Sequence, residues 1–224
     1  MERLLRLVRG ALDVLYPKRA ECMGCGSRAG FDRDWLCEAC RRELASRWVG
    51  AGQPPRGGVI EGAAYGYRYG GPAAGMVRNL KYRGVRLLAE PMGRAMASAF
   101  SALQPLEIDG VVPVPMHPKR RRDRGYNHAA LLAAQVAGQL DLPLLDVLSR
   151  TRDTRQQARL SDAERMSNLE NAFALAGDVA DKALLLVDDV CTTGATANAC
   201  AKALLDGGAR RVWLLCYAEA RNGT

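Results

Sequence analysis

Aromatic side chains make up only 6% of this 224-residue chain. That scarcity argues against a surface of stacking platforms for single-stranded nucleic acid. No run approaches 18 apolar residues, which excludes a membrane-spanning helix. The opening MERLLRLVRGALDVLYP is interrupted by Arg3, Arg6 and Arg9, so it lacks the unbroken apolar stretch of a secretory signal. A cytoplasmic protein is expected, with Leu4, Leu5, Val8, Leu12 and Leu15 forming the apolar face of a docked helix. The phosphate-loop pattern G-x-x-x-x-G-K-[ST] is also missing: its closest approach, Gly70 to Gly75, continues with Met76 and Val77. No internal repeat is visible.

What is present suits an ordinary globular protein with a real core, 48% hydrophobic and 25% charged. The net charge of +8 is uneven. Residues 1–50, 51–110 and 111–170 each carry an excess of three basic side chains, whereas 171–224 carry one excess acid. Anionic partners fit this balance, phosphates and nucleic acid alike.

Four of the seven cysteines fall within CMGCGSRAGFDRDWLCEAC. Cys22 and Cys25, then Cys37 and Cys40, form two C-x-x-C pairs separated by eleven residues. Each pair aims two thiolates at one point, and Gly24 and Gly26 supply backbone freedom for the turn. Two pairs close a tetrahedral four-sulfur shell, the preferred arrangement for structural zinc. Disulfides and an iron–sulfur cluster explain the spacing less well. With all four positions filled by Cys, no place is left for an activated water. The ribbon is a folding staple or a nucleic-acid module.

VGAGQPPRGG (49–58) reads as a linker, dividing the ribbon segment 1–50 from a larger domain over 51–224. Beyond it strands and helices alternate. Strands are expected over 59–69, 108–115, 142–148, 183–190 and 210–218, and helices over 73–83, 87–100, 125–140, 161–173 and 193–208. Residues 150–161 read as a polar loop. This alternation predicts an α/β fold, a mostly parallel sheet with flanking helices.

The most informative stretch is LLLVDDVCTTGAT (184–196). A continuous apolar run suits a central parallel strand buried on both faces, and ligands bind at the carboxyl ends of such strands. Asp188 and Asp189 leave the strand there. Thr192, Thr193, Gly194, Ala195 and Thr196 then turn into a helix, whose free N–H groups hold an anion. A ribose 5-phosphate reconciles acids with anion site: carboxylates accept from vicinal hydroxyls while the loop holds the phosphate. A strand running into an ordinary capped helix needs only one such polar residue. Cys191 within the loop is either redox-sensitive or a tolerated small residue.

VDDVCTTGAT resembles the phosphoribosyl pyrophosphate (PRPP) binding motif of type I phosphoribosyltransferases. The four-cysteine ribbon, LKYRG (80–84), VVPVPMHPKRRRDRGYNHA (111–129) and RQQARLSDAERMSNLENAF (155–173) are together similar to the ComF/GntX family of competence-related proteins. That resemblance implies a zinc ribbon ahead of a phosphoribosyltransferase-like domain, and it covers nearly the whole chain. It further implies a pyrophosphate loop at Val114, Pro115, Met116 and His117, with magnesium carried by PRPP. His117 and Lys119 are the expected ligand contacts among the basic residues that follow, with Lys81 and Arg83 approaching from the preceding helix. A mobile loop carrying Arg155 and Gln157 would close over the reacting carbon. His128 is expected to be structural. Three functions compete: phosphoribosyl transfer with pyrophosphate release, non-catalytic sensing of PRPP or another ribose 5-phosphate in support of DNA uptake, and binding of single-stranded DNA or DNA-uptake proteins. No residue identifies an acceptor.

Overall fold

A computed structural model describes residues 21–28, 30, 32, 34–103, 107–151 and 172–220. The N-terminal helix, the loop carrying Arg155 and Gln157, and nearly all of the helix expected over 161–173 lie outside the described residues.

The described elements are α1 (Glu38–Ser46), β1 (Trp48–Gly52), β2 (Gly62–Arg68), α2 (Gly71–Tyr82) and α3 (Ala89–Ser101). There follow β3 (Gly110–Pro113), α4 (Pro118–Arg124), α5 (His128–Leu140), β4 (Leu148–Arg150) and β5 (Phe173–Leu175). The chain closes with β6 (Ala183–Cys191), α6 (Ala195–Asp206) and β7 (Arg211–Glu219). Five strands form one sheet in the order β1-β2-β7-β6-β3, parallel except for the antiparallel edge strand β1. The expected mostly parallel α/β sheet is therefore present.

β6 is apolar without alternation because both of its faces are covered. Leu185 and Val187 enter a core shared with α2, α3 and α5. Leu184 and Leu186 enter a second core with α6. Burying one such leucine contributes roughly 1.5–3 kcal/mol, so the strand that carries Asp188 and Asp189 is anchored from both sides.

Two readings change. Residues 49–52, taken as the start of a linker, belong to β1, which pairs Trp48 with Tyr67 and Gly52 with Ala63. The expected division between residues 50 and 51 falls inside this strand. The strand expected over 142–148 is reduced to one parallel bridge, Leu144 to Val111. Pro143 has no N–H to extend the ladder. The regular strand is instead β4, which pairs antiparallel with β5 in a separate small sheet.

The cysteine cluster packs on α2 rather than standing apart. Cys22, Cys37 and Cys40 lie in the same core as Met76, Val77 and Leu80. Asn79 Nδ2 donates to the Met23 carbonyl at 2.9 Å. At Gly75 the approach is closer still, since a Cβ there would meet the Gly24 carbonyl oxygen at 1.9 Å. Glycine is required at that crossing.

Candidate functional site

The four cysteine Sγ atoms lie within 4.8 Å of one another. Cys22, Cys37 and Cys40 are buried and Cys25 is exposed. The second pair differs from a simple turn: Cys37 is the N-cap of α1 and Cys40 lies in its first turn. Hydrogen bonds from the Ser27 hydroxyl and backbone N–H bring the Cys25 thiol down to about 6, favouring the thiolate that a metal requires. Four convergent soft donors fit zinc, and the four positions leave no protein-side vacancy for catalytic water. This is a metal-binding cluster of structural type.

The second site lies at the carboxyl ends of β2, β3, β6 and β7, beneath α2. It is a cleft of about 560 Å³. Asp188 and Asp189 line it at the end of β6. Asp189 is only 2% exposed. Its Oδ2 sits 2.5 Å from Lys81 Nζ, and its Oδ1 faces His128 Nε2 at 3.6 Å. Oδ2 is sealed from solvent against the Lys81 ammonium, a close ion pair that anchors the carboxylate. Arg124 Nη1 stands 2.9 Å from His128 Nδ1. A guanidinium only donates, so Nδ1 accepts and Nε2 carries the proton that faces Asp189.

These contacts separate the two carboxylates. Burial opposes ionisation of Asp189, but the His128 ring and the Lys81 ammonium outweigh it and hold that carboxyl well below the usual range. Burial and the adjacent Asp189 charge push the Asp188 carboxyl well up. Burial also opposes the Lys81 charge, yet the two aspartates keep its pKa above the ordinary lysine value. Lys81 thus neutralises the acidic pair from above, which removes the repulsion that two carboxylates would exert on a nearby phosphate.

The loop after β6 turns at Gly194, whose φ of 81° is left-handed. A side chain there would also strike Pro55 Cβ at 2.2 Å. Thr193 Oγ1 accepts from Ala195 N–H at 3.3 Å, and α6 begins at Ala195. Thr192 and Thr196 line the cleft. Gly194 is buried, and Ala195 lies in the first turn of α6.

Across the cleft, Val114, Pro115 and Met116 follow β3. Asn127 Nδ2 fixes this loop by donating to the Val114 carbonyl at 3.1 Å, while its Oδ1 accepts from Ala129 N–H at the start of α5. The basic run 119–124 is largely the helix α4. Arg120 and Arg124 line the cleft from it; His117 and Lys119 do not. His117 instead caps α4, its Nδ1 accepting from Lys119 N–H at 3.3 Å. Arg83 ends α2 exposed and away from the lining, whereas Lys81 is in the site. Arg155 lies outside the described residues.

Sequence reasoning missed His128, Arg78 and Tyr69, and within the basic run it preferred His117 and Lys119 to Arg120 and Arg124; these five, His128, Arg78, Tyr69, Arg120 and Arg124, line the cleft. The i, i+4 spacing of Arg124 and His128 was a signal, but the interruption between two helices at Gly125 to Asn127 hid their common direction.

The family model of the phosphoribosyl transferase domain matches residues 127–224. Competence protein F of Haemophilus influenzae is 36% identical over 139 residues, 60% of this chain and 61% of that protein. DNA utilization protein YhgH of Escherichia coli O6:H1 is 30% identical over 215 residues, 87% of this chain and 89% of the relative. Competence protein ComFC of Bacillus subtilis is 29% identical over 204 residues, covering 88% and 83%. The chain spans about three fifths of the length of Competence protein F.

Proposed function

Because this chain belongs to the family of ComF competence proteins and YhgH DNA utilization proteins, we propose that its cleft binds PRPP and that the protein serves DNA uptake or use. The phosphoribosyl transferase domain suggests a ribose-phosphate ligand. Thr192 to Thr196 would take the 5-phosphate at the start of α6. Asp188 and Asp189 would accept hydrogen bonds from the ribose hydroxyls. Met116, Arg120 and Arg124 would face the pyrophosphate, with guanidinium forks suited to its oxygens.

The observation that carries this reading is the acidic pair at the end of β6: half-buried Asp188 lines the cleft beside Asp189, whose charge Lys81 and His128 hold in place. The ribose hydroxyls would reach this pair from the open cleft. The hard carboxylate oxygens of Asp188 and Asp189, within 4.8 Å of a His128 nitrogen, also fit a divalent cation that brings phosphates and water as its other ligands. Magnesium bound with pyrophosphate would supply positive charge to the leaving group. Lys81, Arg120 and Arg124 would hold the anionic end, His128 would orient Asp189, and transfer would pass the phosphoribosyl group to an acceptor and release pyrophosphate.

Thermal-shift titration with magnesium and, in turn, PRPP, ribose 5-phosphate and pyrophosphate tests the reading. PRPP should raise Tm most because it fills both halves of the site. Equal shifts from pyrophosphate and PRPP would remove the ribose half.

A second activity is supported by α4. Lys119, Arg121 and Arg122 are exposed outside the cleft lining and would contact the phosphate backbone of single-stranded DNA. Such binding should weaken steeply with salt; affinity independent of salt would exclude backbone contact by this helix.

A further inference from the structure

We propose that the hollow between the end of α2 and α4 binds a nucleoside 5′-triphosphate, with its phosphates on Lys81, Arg120 and Arg124 and its flat ring stacked on Tyr82. This goes beyond the PRPP reading above and stands without it. The hollow has a volume of about 440 Å³ and adjoins the cleft. Lys81, Tyr82, Arg120 and Arg124 line both spaces. Gly84, Asp123 and Tyr126 line the hollow and not the cleft.

Local structure gives the hollow a fixed floor and an open edge. Tyr126 is 8% exposed, and its hydroxyl donates to the Leu80 carbonyl near the end of α2. The Arg86 guanidinium lies 4.6 Å from the centre of the same ring, so this floor is held at its hydroxyl and on its face. α4 carries Arg120, Asp123 and Arg124 at i, i+3 and i+4, a spacing that turns all three toward one side. At Gly84 a side chain would meet no atom within 4 Å, which leaves that edge open.

These residues specify a ligand class. Tyr82 is 62% exposed in a chain with few aromatics. Arg124 stands over its ring at 5.2 Å from the centre, and the opposite face is left for a second flat ring. Lys81, Arg120 and Arg124 gather where hollow and cleft join, set against the single acid Asp123. Adjacent phosphates match that charge, and each guanidinium fork suits a pair of their oxygens. A phosphodiester in a nucleic-acid strand carries only one charge, less than three gathered cations call for. Asp123 is exposed and has no ion partner among the described residues, so its oxygens are left to accept from sugar hydroxyls or a ring amine. The same three cations would serve the pyrophosphate of PRPP, so the two ligands should compete, one holding them from the hollow and the other from the cleft.

The test uses the full chain, zinc-loaded and with magnesium present. Adenosine triphosphate (ATP), inorganic tripolyphosphate and a short oligothymidylate are titrated in, with binding followed by calorimetry. Wild type should bind ATP about tenfold more tightly than tripolyphosphate, as expected when one base stacks on an aromatic ring. Tyr82→Ala should remove that difference by weakening ATP alone, and Tyr82→Phe should restore it. Thr196 lines the cleft and not the hollow, so Thr196→Val should weaken ribose 5-phosphate and leave ATP affinity unchanged. Equal affinities for ATP and tripolyphosphate in wild type, an ATP affinity unmoved by Tyr82→Ala, or loss of ATP binding in Thr196→Val overturns the proposal. Tighter, Tyr82-dependent binding of the oligothymidylate overturns it as well, because the hollow would then be a strand-binding surface. Failure of PRPP to bind removes the reading of the cleft and leaves the triphosphate site standing. Binding of both ligands without mutual weakening removes the shared cations and with them the triphosphate site.

Discussion

The cysteine cluster and the cleft at the end of β6 are built on opposite principles. The cluster draws its donors from nineteen consecutive residues, Cys22 to Cys40, so spacing alone carries its chemistry. The cleft draws on the ends of five strands and on four helices, from Tyr69 to Ala220. Its β6 portion is contiguous and announces itself most plainly in the sequence. The two sites meet on α2. One face of that helix receives the cluster at Gly75 and Asn79, and another presents Arg78 and Lys81 to the cleft. The cluster thus acts as a buttress for the wall that neutralises Asp189.

The largest expected effect comes from breaking the cluster. Cys40→Ser removes a buried ligand, and structural zinc supplies folding free energy outright. Tm should fall by several degrees or more, and PRPP affinity should fall with it because α2 loses its support. Gly75→Ala sharpens this: it keeps every cysteine but overfills the crossing, at a cost of about 1–3 kcal/mol. Zinc content by atomic absorption should stay at one per chain while PRPP affinity drops. An unchanged affinity would mean that the two sites are independent.

The two aspartates offer an effect of opposite signs. Asp189→Asn leaves Lys81 without its buried partner and should destabilise the fold by about 1–3 kcal/mol. Asp188→Asn should raise Tm at pH 7. The folded pKa of Asp188 lies above its unfolded value, so its ionised form is a cost at neutral pH that protonation removes. The gain should therefore vanish as pH falls below the ordinary carboxylate value of about 3.9. The depressed Asp189 behaves conversely: its contribution is present above that value and is lost as pH falls through its folded pKa. Thermal melts of both variants between pH 3 and pH 7, values spanning the range of about 3.9 to neutral, check the signs. Neither variant should bind PRPP at the wild-type affinity.

The smallest effect is expected at His117. Its cap on α4 is worth about 1 kcal/mol, and it lies outside the cleft lining. His117→Ala should lower Tm slightly and leave PRPP affinity nearly unchanged in calorimetry, whereas Arg124→Ala, which also frees the His128 ring, should weaken it clearly.

Legibility in the sequence follows from whether the cause is local. Apolar runs and alternation located β6, α6 and β7 because burial on two faces acts on contiguous residues. The motif around Asp188 pointed to a ribose-phosphate ligand because strand end, acids and loop are adjacent in the chain. Lys81 was also found, through LKYRG. The choice of His117 and Lys119 over Arg120 and Arg124 depended on where α4 starts, and Pro118 sets that start only once the helix is known. His128 looked structural because its partner Asp189 is 61 positions away. Residues 49–52 looked like a linker because glycine and proline followed them, while their pairing with β2 is a tertiary fact.

The central claim is that Asp188 and Asp189 hold the ribose of PRPP. Calorimetric titration of PRPP with magnesium into wild type and into the Asp188→Asn, Asp189→Asn double variant tests it most directly. Saturable binding by wild type, weakened at least about a hundredfold in the variant by loss of two charge-assisted contacts, is the predicted result. Equal affinity in the two proteins, or no binding by wild type, would contradict the account.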